Sequence, residues 1–179
     1  MLIFEGETHS AAETVALGRC LGESLAEPAV WCLDGDLGSG KTVLARGILR
    51  GLGVAGAVRS PTFTLAIPHT GRWPAVHVDL YRLESAAAIE MLDWDAWLGG
   101  DTVVLVEWGA RARRLIGPER LDVELAHSGD DRRRLRIVAG GRLAGRIGAA
   151  LRTALGTAGE AQRSVGGRPG SPDDGEPTC

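Results

Sequence analysis

The pattern of hydrophobic residues predicts several strands in the middle of the chain. Two continuous apolar runs, at 29–33 and 102–106, are typical of strands that are covered on both faces. A shorter run at 75–78 ends in Asp79, and the segment 62–67 is rich in residues that favour strands. These runs predict a sheet whose central strands are buried and parallel.

A different pattern follows towards the C-terminus and between the strands. Apolar and charged residues alternate at 121–125 and again at 132–138, which predicts an antiparallel hairpin. Apolar residues spaced four apart predict helices over about 11–25, 41–52 and 143–155. Strands that alternate with helices predict an α/β fold, with a mostly parallel sheet, helices on both faces and a C-terminal antiparallel hairpin.

The composition of the chain changes after residue 155. Residues 156–179 are rich in glycine, proline, serine and charge, and they contain no aromatic residue. Such a segment buries too little apolar surface to offset the entropy lost on ordering. The sequence therefore predicts one domain over residues 1–155 and a disordered C-terminal tail over 156–179.

Net charge and cysteine usage exclude several classes of protein. The net charge is −3, which argues against a protein that coats nucleic acid or a membrane surface. No apolar run approaches the roughly 20 residues of a membrane-spanning helix. The N-terminus lacks a signal-peptide pattern, and the three cysteines show no metal-binding or disulfide spacing. We therefore expect a cytoplasmic protein without a membrane partner.

The segment Gly35–Thr42 fits G-x-x-x-x-G-K-[ST], the phosphate-binding loop, or P-loop. It follows a predicted strand and opens a predicted helix, which is the context that the motif requires. Its backbone N–H groups would surround phosphate oxygens, Lys41 would reach the outer phosphates, and Thr42 would bind Mg²⁺. Lys41 is the only lysine among the 20 basic residues, and it stands where an arginine would not replace it.

Two carboxylates follow predicted strands and are candidates for the metal chemistry of this loop. Glu107 ends the apolar run 102–106, and Asp79 ends the run before it. The carboxyl ends of parallel strands meet at the same edge of a sheet, so both would face the phosphates. We assign Glu107 to the metal and Asp79 to a water-positioning or indirect role, although the sequence leaves open which of them positions water.

The segment 60–64 stands where P-loop proteins have a segment that senses the outer phosphate. Pro61 forces Ser60 out of helical geometry, and the hydroxyls of Thr62 and Thr64 could approach the γ-phosphate or Mg²⁺. The alternative is an ordinary strand that begins at a proline and carries surface threonines.

Other residues near these motifs allow more than one interpretation. Trp108 could cover the nucleotide, contact a partner or belong to the core. His77 shares a strand face with Asp79, and a core or surface role is favoured over a catalytic one.

The arginines at 132–136 could bind nucleic acid, form a solvated strand face or turn one side chain towards the nucleotide. The acidic net charge argues against strong RNA binding by the chain itself. A Ras-type guanine site needs a second lysine, in an N-K-x-D motif, so ATP is favoured over GTP.

Four segments together resemble the TsaE (YjeE) family, the P-loop ATPases of bacterial tRNA threonylcarbamoyladenosine (t⁶A) synthesis. The resemblance runs in order over roughly residues 8–138. The segments are G-D-L-G-S-G-K-T at 35–42, S-P-T-F-T-L at 60–65, H-V-D-L-Y-R-L at 77–83 and V-L-V-E-W at 104–108. The family usually has alanine where Ser39 stands, and the tail lies outside the family pattern.

The resemblance implies a cytoplasmic ATPase that acts on a TsaD–TsaB-type complex, which itself modifies position 37 of tRNAs reading ANN codons. The sequence leaves the oligomeric state open, and we expect the chain alone to be a monomer. ATP hydrolysis would reset that complex, and tRNA would be contacted indirectly. The resemblance implies catalytic roles for Lys41, Asp79 and Glu107, with Thr42 and Glu107 at the metal. Nucleotide-binding residues would be Thr8, Asp36, Leu37, Gly38, Ser39, Gly40, Lys41, Thr42 and Arg133. Residues of the switch or the partner contact would be Ser60, Pro61, Thr62, Thr64 and Trp108.

Two other functions remain open from the sequence. A small-molecule kinase would have the same loop and an arginine-bearing lid, which Arg111, Arg113 and Arg114 could supply. A nucleotide-gated binding module would use ATP to order the segment 60–64 for docking, with only incidental hydrolysis.

Overall fold

The computed structural model describes residues 1–165, with the surroundings of side chains given through residue 156. Seven strands lie in this part of the chain. They are β1 (Leu2–Thr8), β2 (Val30–Asp34), β3 (Ala66–Thr70), β4 (Pro74–Asp79), β5 (Val103–Glu107), β6 (Leu121–His127) and β7 (Arg133–Ala139). The α-helices are α1 (Ala11–Glu23), α2 (Lys41–Gly51), α3 (Ala86–Glu90), α4 (Trp94–Trp97), α5 (Arg113–Ile116), α6 (Leu143–Arg146) and α7 (Gly148–Val165). A short 3₁₀ helix covers Gly109–Ala112.

All seven strands form one sheet in the order β1-β7-β6-β2-β5-β4-β3. The four central strands β6, β2, β5 and β4 are parallel, whereas β3, β7 and β1 pair antiparallel with their neighbours. The register places Glu107 beside both Leu33 and Asp79 at the carboxyl edge. The predicted α/β fold, with its mostly parallel sheet and C-terminal hairpin, is therefore confirmed.

Two hydrophobic clusters cover the two faces of the sheet. One packs α1, α2 and α7 against the sheet, through residues such as Leu21, Leu44 and Leu151. The other packs α3 and α4 against β4 and β5 on the opposite face, through residues such as Ile89 and Trp94. Helices thus lie on both faces of the central strands, as predicted.

Helices α1 and α2 approach each other through glycine rather than through large apolar side chains. Apart from Leu21, the buried residues of α1 are small or polar: Thr14, Gly18 and Gly22. A β-carbon on Gly18 would lie 2.5 Å from Leu44 O and 2.9 Å from Gly47 Cα. This close contact fixes α2, and therefore the P-loop, against α1.

The strand expected over 62–67 begins later, at Ala66. The N–H groups of Thr64 and Leu65 donate to the carbonyl of Pro61, at 3.0 and 2.7 Å, so residues 61–65 form a turn. Leu65 leaves this turn with a φ of 62°, in the left-handed region. Local hydrogen bonds to the Pro61 carbonyl therefore overcome the strand preference of the threonines.

The C-terminal helix α7 extends to Val165, so the expected domain boundary at residue 155 falls inside this helix. The tail predicted over 156–179 continues beyond it, and residues 166–179 lie outside the described part of the chain. Among the helices described, none has the length and apolarity needed to span a bilayer.

Candidate functional site

The P-loop connects the end of β2 to the start of α2. Three of its glycines, Gly35, Gly38 and Gly40, have φ values of 141°, 79° and 105°, a region that L side chains rarely adopt. The loop therefore curls at these three points before α2 begins at Lys41. The N-terminus of α2, with its free N–H groups and positive dipole end, opens onto the space above the loop, which favours an anion.

Lys41 is buried and is held by the loop itself. Its Nζ donates to Gly35 O at 2.7 Å and to Asp36 O at 2.8 Å, and it lies 4.0 Å from the centre of the Trp108 ring. Burial lowers the pKa of Lys41, although the negative charges of Glu107 and Asp79 act in the opposite direction. The flexible lysine stem thus places its charge beside the loop, within a site that is otherwise acidic.

Glu107 and Thr42 meet at the carboxyl end of β5. The Thr42 Oγ1 hydroxyl lies 2.7 Å from Glu107 Oε1 and 2.9 Å from Oε2. His77 Nε2 lies 2.8 Å from Glu107 Oε1, and both His77 and Glu107 are buried. The hydroxyl and carboxylate oxygens of Thr42 and Glu107 are hard donors of the kind that suits Mg²⁺. The structure therefore brings the two predicted metal residues together.

Asp79 is joined to the segment 60–64 by a chain of hydroxyl groups. Thr62 Oγ1 donates to Asp79 Oδ2 at 2.7 Å, and Ser60 Oγ lies 2.7 Å from Thr62 Oγ1. The other carboxylate oxygen of Asp79 accepts the N–H of Tyr81 at 2.9 Å. Thr62 thus faces the site, whereas Thr64 is exposed and the ring of Pro61 is buried.

Trp108 follows Glu107 and lies at the rim of the site. It is half-buried and has a φ of 61°, while its N–H donates to Leu33 O at 2.8 Å. Its ring lies 5.2 Å from the ring of Tyr81 and over Lys41. Trp108 therefore lines the site rather than filling the centre of a core cluster.

These side chains surround one pocket of about 220 Å³. Its floor is formed by the P-loop from Leu37 to Val43, and Leu37 is 72% exposed at the rim. Its walls are Thr62, Asp79, Glu107 and the rings of Tyr81 and Trp108. The backbone of the P-loop, one lysine and two carboxylates therefore share a single cavity.

Thr8, Arg133 and His127 form a row across the ends of three adjacent strands. The register pairs Arg133 with Thr8 on one side and with His127 on the other. Arg133 is buried against Gly40, where an added β-carbon would lie 2.8 Å from Arg133 Nε. Thr8 is also buried, and its hydroxyl lies 2.7 Å from the hydroxyl of Thr14. The two residues expected at the nucleotide thus lie on the P-loop side of the sheet.

The remaining arginines of β7 lie on the opposite face and meet acidic residues. Arg134 lies 3.6 Å from Glu7, and Arg136 lies 3.7 Å from Glu124. Of the three interpretations of this arginine run, the structure supports a solvated, charge-paired face with one arginine, Arg133, turned towards the P-loop.

The arginines proposed for a kinase lid hold the protein's own loops. Arg111 Nη1 donates to the carbonyls of Leu80, Tyr81 and Leu83, at 2.8 to 3.1 Å. Arg113 forms ion pairs with Asp34 and Asp122, at 3.0 and 3.1 Å. Arg114 is exposed. These contacts place Arg111 and Arg113 in structural roles.

Two histidines contribute to the site in a way that the sequence did not indicate. His77 contacts Glu107, a contact that depends on the register of β4 beside β5. A β-carbon on Gly38 would lie 3.7 Å from His127 Nε2, a proximity that depends on how β6 ends beside the P-loop. The only sequence signal for His77 was its shared strand face with Asp79.

Comparison with known proteins gives one family for this chain. The family model described as "Threonylcarbamoyl adenosine biosynthesis protein TsaE" matches residues 8–135. Proteins named "tRNA threonylcarbamoyladenosine biosynthesis protein TsaE" match from Mycobacterium tuberculosis and Bacillus subtilis. The first is 43% identical over 123 residues, which cover 63% of this chain and 73% of the relative. The second is 38% identical over 136 residues, which cover 75% of this chain and 84% of the relative.

A solved structure gives the same result for the fold. The crystal structure of YdiB from Bacillus subtilis superposes with a TM-score of 0.71 at 30% sequence identity. The match covers 88% of this chain and 98% of that one.

Proposed function

Because the chain belongs to the TsaE family of threonylcarbamoyladenosine biosynthesis proteins, we propose that it is a Mg²⁺-dependent ATPase of tRNA t⁶A synthesis. One observation carries the ATPase part of this proposal. Thr42 and Glu107 are hydrogen-bonded to each other beside Lys41, at the edge of the sheet where the P-loop begins. A loop that only held a structural anion would not need a buried carboxylate facing it.

Thr42 and Glu107 would hold Mg²⁺, and the phosphates would supply further oxygen ligands. When bound, Mg²⁺ neutralises charge on the phosphate oxygens. In the part of the chain that the structure describes, no group of three or more His, Cys, Asp and Glu side chains could hold a metal ion. This fits Mg²⁺, which is usually held by one or two carboxylates together with phosphates and water.

The protein's own groups would bind and orient the triphosphate for attack by water. Backbone N–H groups from Asp36 to Thr42 would surround the phosphates, and Lys41 would exchange its two carbonyl partners for phosphate oxygens. Asp79, which accepts a hydrogen bond from Thr62, would orient the attacking water or sense the outer phosphate through the segment 60–64. Fixed charges of this kind favour the transition state without reorganising.

ATP hydrolysis by this chain would change the state of a partner complex rather than modify tRNA directly. We propose a cytoplasmic TsaD–TsaB-type complex as the partner, which transfers threonylcarbamoyl to adenosine 37 and is reset by ATP hydrolysis. The paired arginines of the sheet face support an indirect role with respect to tRNA. The structure offers less support for a kinase, since Arg111 and Arg113 already hold loops of the protein.

An ATPase assay with and without the partner complex and tRNA tests this proposal. We expect slow hydrolysis by the chain alone and faster hydrolysis with the complex. Lys41→Ala and Glu107→Ala should each lower the stimulated rate by about 100-fold or more, the scale at which preorganised charge acts. Formation of t⁶A should fall in the same variants.

A matched control separates site chemistry from loss of charge. Glu124→Gln removes an exposed carboxylate of β6 that pairs with Arg136, and it should leave the rate unchanged. Full activity of both Lys41→Ala and Glu107→Ala would disprove the ATPase. A Glu107→Gln variant that binds ATP without hydrolysis and still supports t⁶A formation would instead favour the nucleotide-gated module.

A further inference from the structure

His77 is fully buried on the inner part of β4 and reaches across to β5. The parallel register sets His77 beside Leu105 and Asp79 beside Glu107, so His77 stands two residues below the acidic pair. Its Nε2 nevertheless lies 2.8 Å from Glu107 Oε1. The imidazole therefore spans two residues of the ladder to meet the carboxylate from within the protein.

Thr42 alone does not fix the orientation of the Glu107 carboxylate. The single hydroxyl hydrogen of Thr42 faces both carboxylate oxygens, at 2.7 and 2.9 Å. Within the described part of the chain, His77 is the only other side chain that hydrogen-bonds Glu107. A carboxylate only accepts hydrogen bonds, so the Nε2 of His77 must donate.

The other ring nitrogen of His77, Nδ1, shows that a histidine at this position destabilises the fold. His77 Nδ1 is buried without a hydrogen-bond partner in the described protein. A buried polar atom without a partner destabilises a fold, so an apolar side chain would suit this position better if packing were its only role. The contact with Glu107 is the feature that distinguishes histidine from leucine here.

We propose that His77 is a positioning residue of the metal site, which holds the Glu107 carboxylate in the orientation that Mg²⁺ would need. This inference rests on the proposed function, because it concerns the same metal. Side chains that hydrogen-bond a metal ligand orient it in this way, and their loss weakens metal binding without removing a ligand.

Binding of a fluorescent ATP analogue, measured over a series of MgCl₂ concentrations and in EDTA, tests this role. His77→Leu should raise the Mg²⁺ concentration for half-maximal binding by about 10-fold to 100-fold. Binding in EDTA should not change, because the loop and Lys41 are intact. His77→Gln places an amide N–H near the position of Nε2 and should restore most of the Mg²⁺ affinity.

His69 provides a matched control on the neighbouring strand β3. Among the described residues, His69 Nε2 is also buried without a hydrogen-bond partner, and His69 does not contact Glu107 by a hydrogen bond. His69→Leu should therefore leave the Mg²⁺ dependence unchanged. If His77→Leu does not fold, His77→Asn replaces it, since its shorter amide falls short of Glu107 and should raise the Mg²⁺ requirement.

The possible failures can be told apart. Native Mg²⁺ dependence in His77→Leu, or in His77→Asn where it is used, would overturn the positioning role while the proposed function stands. Equal weakening by His77→Gln and His77→Leu would also overturn it, because a packing role predicts that pattern. Absence of Mg²⁺-dependent nucleotide binding in the native chain would overturn the proposed function, and this inference with it.

Discussion

Lys41 combines two opposing electrostatic effects in one side chain. Burial removes its ammonium group from water and lowers its pKa below the usual 10.5, whereas Glu107, Asp79, Asp34 and Asp36 favour the charged form. The direction of the shift shows that desolvation outweighs the nearby carboxylates. The protein therefore keeps a cation at the proposed phosphate site at some expense to its own stability.

This shift makes the stability of the native chain depend on pH. As pH rises through the lowered pKa towards 10.5, the folded chain releases the Lys41 proton while the unfolded chain keeps it. Between neutral pH and 10.5, the free energy of unfolding of the native chain should therefore increase relative to that of Lys41→Met as pH rises. Urea denaturation of both proteins across this range measures the difference.

The matched control replaces an exposed cation of α2. Arg50→Met removes a guanidinium that stays charged over the whole range, so its difference from the native chain should not vary with pH. A constant difference for Lys41→Met as well would show that burial does not depress the Lys41 pKa.

The sequence located residues of the pocket where a local pattern marks them. The P-loop, Glu107 and Asp79 were recognised because each directly follows a predicted strand. The structure brings them into one pocket. His77 was not recognised, because its contact with Glu107 arises from the register of two strands that are 24 or more residues apart. The catalytic and binding roles of the P-loop, Glu107 and Asp79 stay predictions until they are tested.

At the level of secondary-structure elements, the contact between α1 and α2 sets the position of the P-loop. Gly18 and Gly22 of α1 lie against Gly47 and Gly51 of α2, so the two backbones touch without intervening side chains. Neither helix can move without opening this contact. The order of strands and helices was readable from periodicity, but this glycine contact was not, since periodicity counts only large apolar residues.

Gly18→Ala should therefore destabilise the protein although alanine favours helices. Its β-carbon would lie 2.5 Å from Leu44 O, so α1 and α2 would have to separate. The steric destabilisation from overpacking exceeds the stabilisation from better helix propensity. We therefore expect the free energy of unfolding to fall by about 1–2 kcal/mol. Thermal or urea denaturation measures this loss.

Gly145→Ala in α6 is the comparison, because a β-carbon there would have open space: among the described residues, no heavy atom outside its own helix backbone and chain neighbours lies within 4 Å. It should leave stability unchanged or raise it slightly. If Gly18→Ala were as stable as Gly145→Ala, the close helix contact would not exist in solution.

At the scale of the whole molecule, one outer face of the sheet matters for binding of polyanions, because its positive and negative charges are interleaved. The face of the sheet formed by β1, β7 and β6 carries arginines that alternate with carboxylates, as in the pairs Arg134–Glu7 and Arg136–Glu124. The net charge is −3. A polyanion approaching this face meets little excess positive charge.

We therefore expect the isolated chain to bind tRNA no more tightly than non-specific binding, with Kd at or above about 10⁻⁶ M at physiological salt. Filter binding or anisotropy with labelled tRNA at several salt concentrations measures this. The double variant Glu7→Gln with Glu124→Gln frees the two arginines and should increase binding at low salt. Tight binding by the native chain, with a steep salt dependence, would contradict an indirect role.

The pairing of the first strand with the last has a consequence for synthesis on the ribosome. Strand β1 is made first, yet its partner β7 lies more than 120 residues later in the chain. Strand β6 therefore lacks its antiparallel neighbour until β7 has been made. Contacts between such distant segments form slowly. The P-loop and its flanking helices can meet before that, but Thr8 reaches its place beside Arg133 only after β7 has been made.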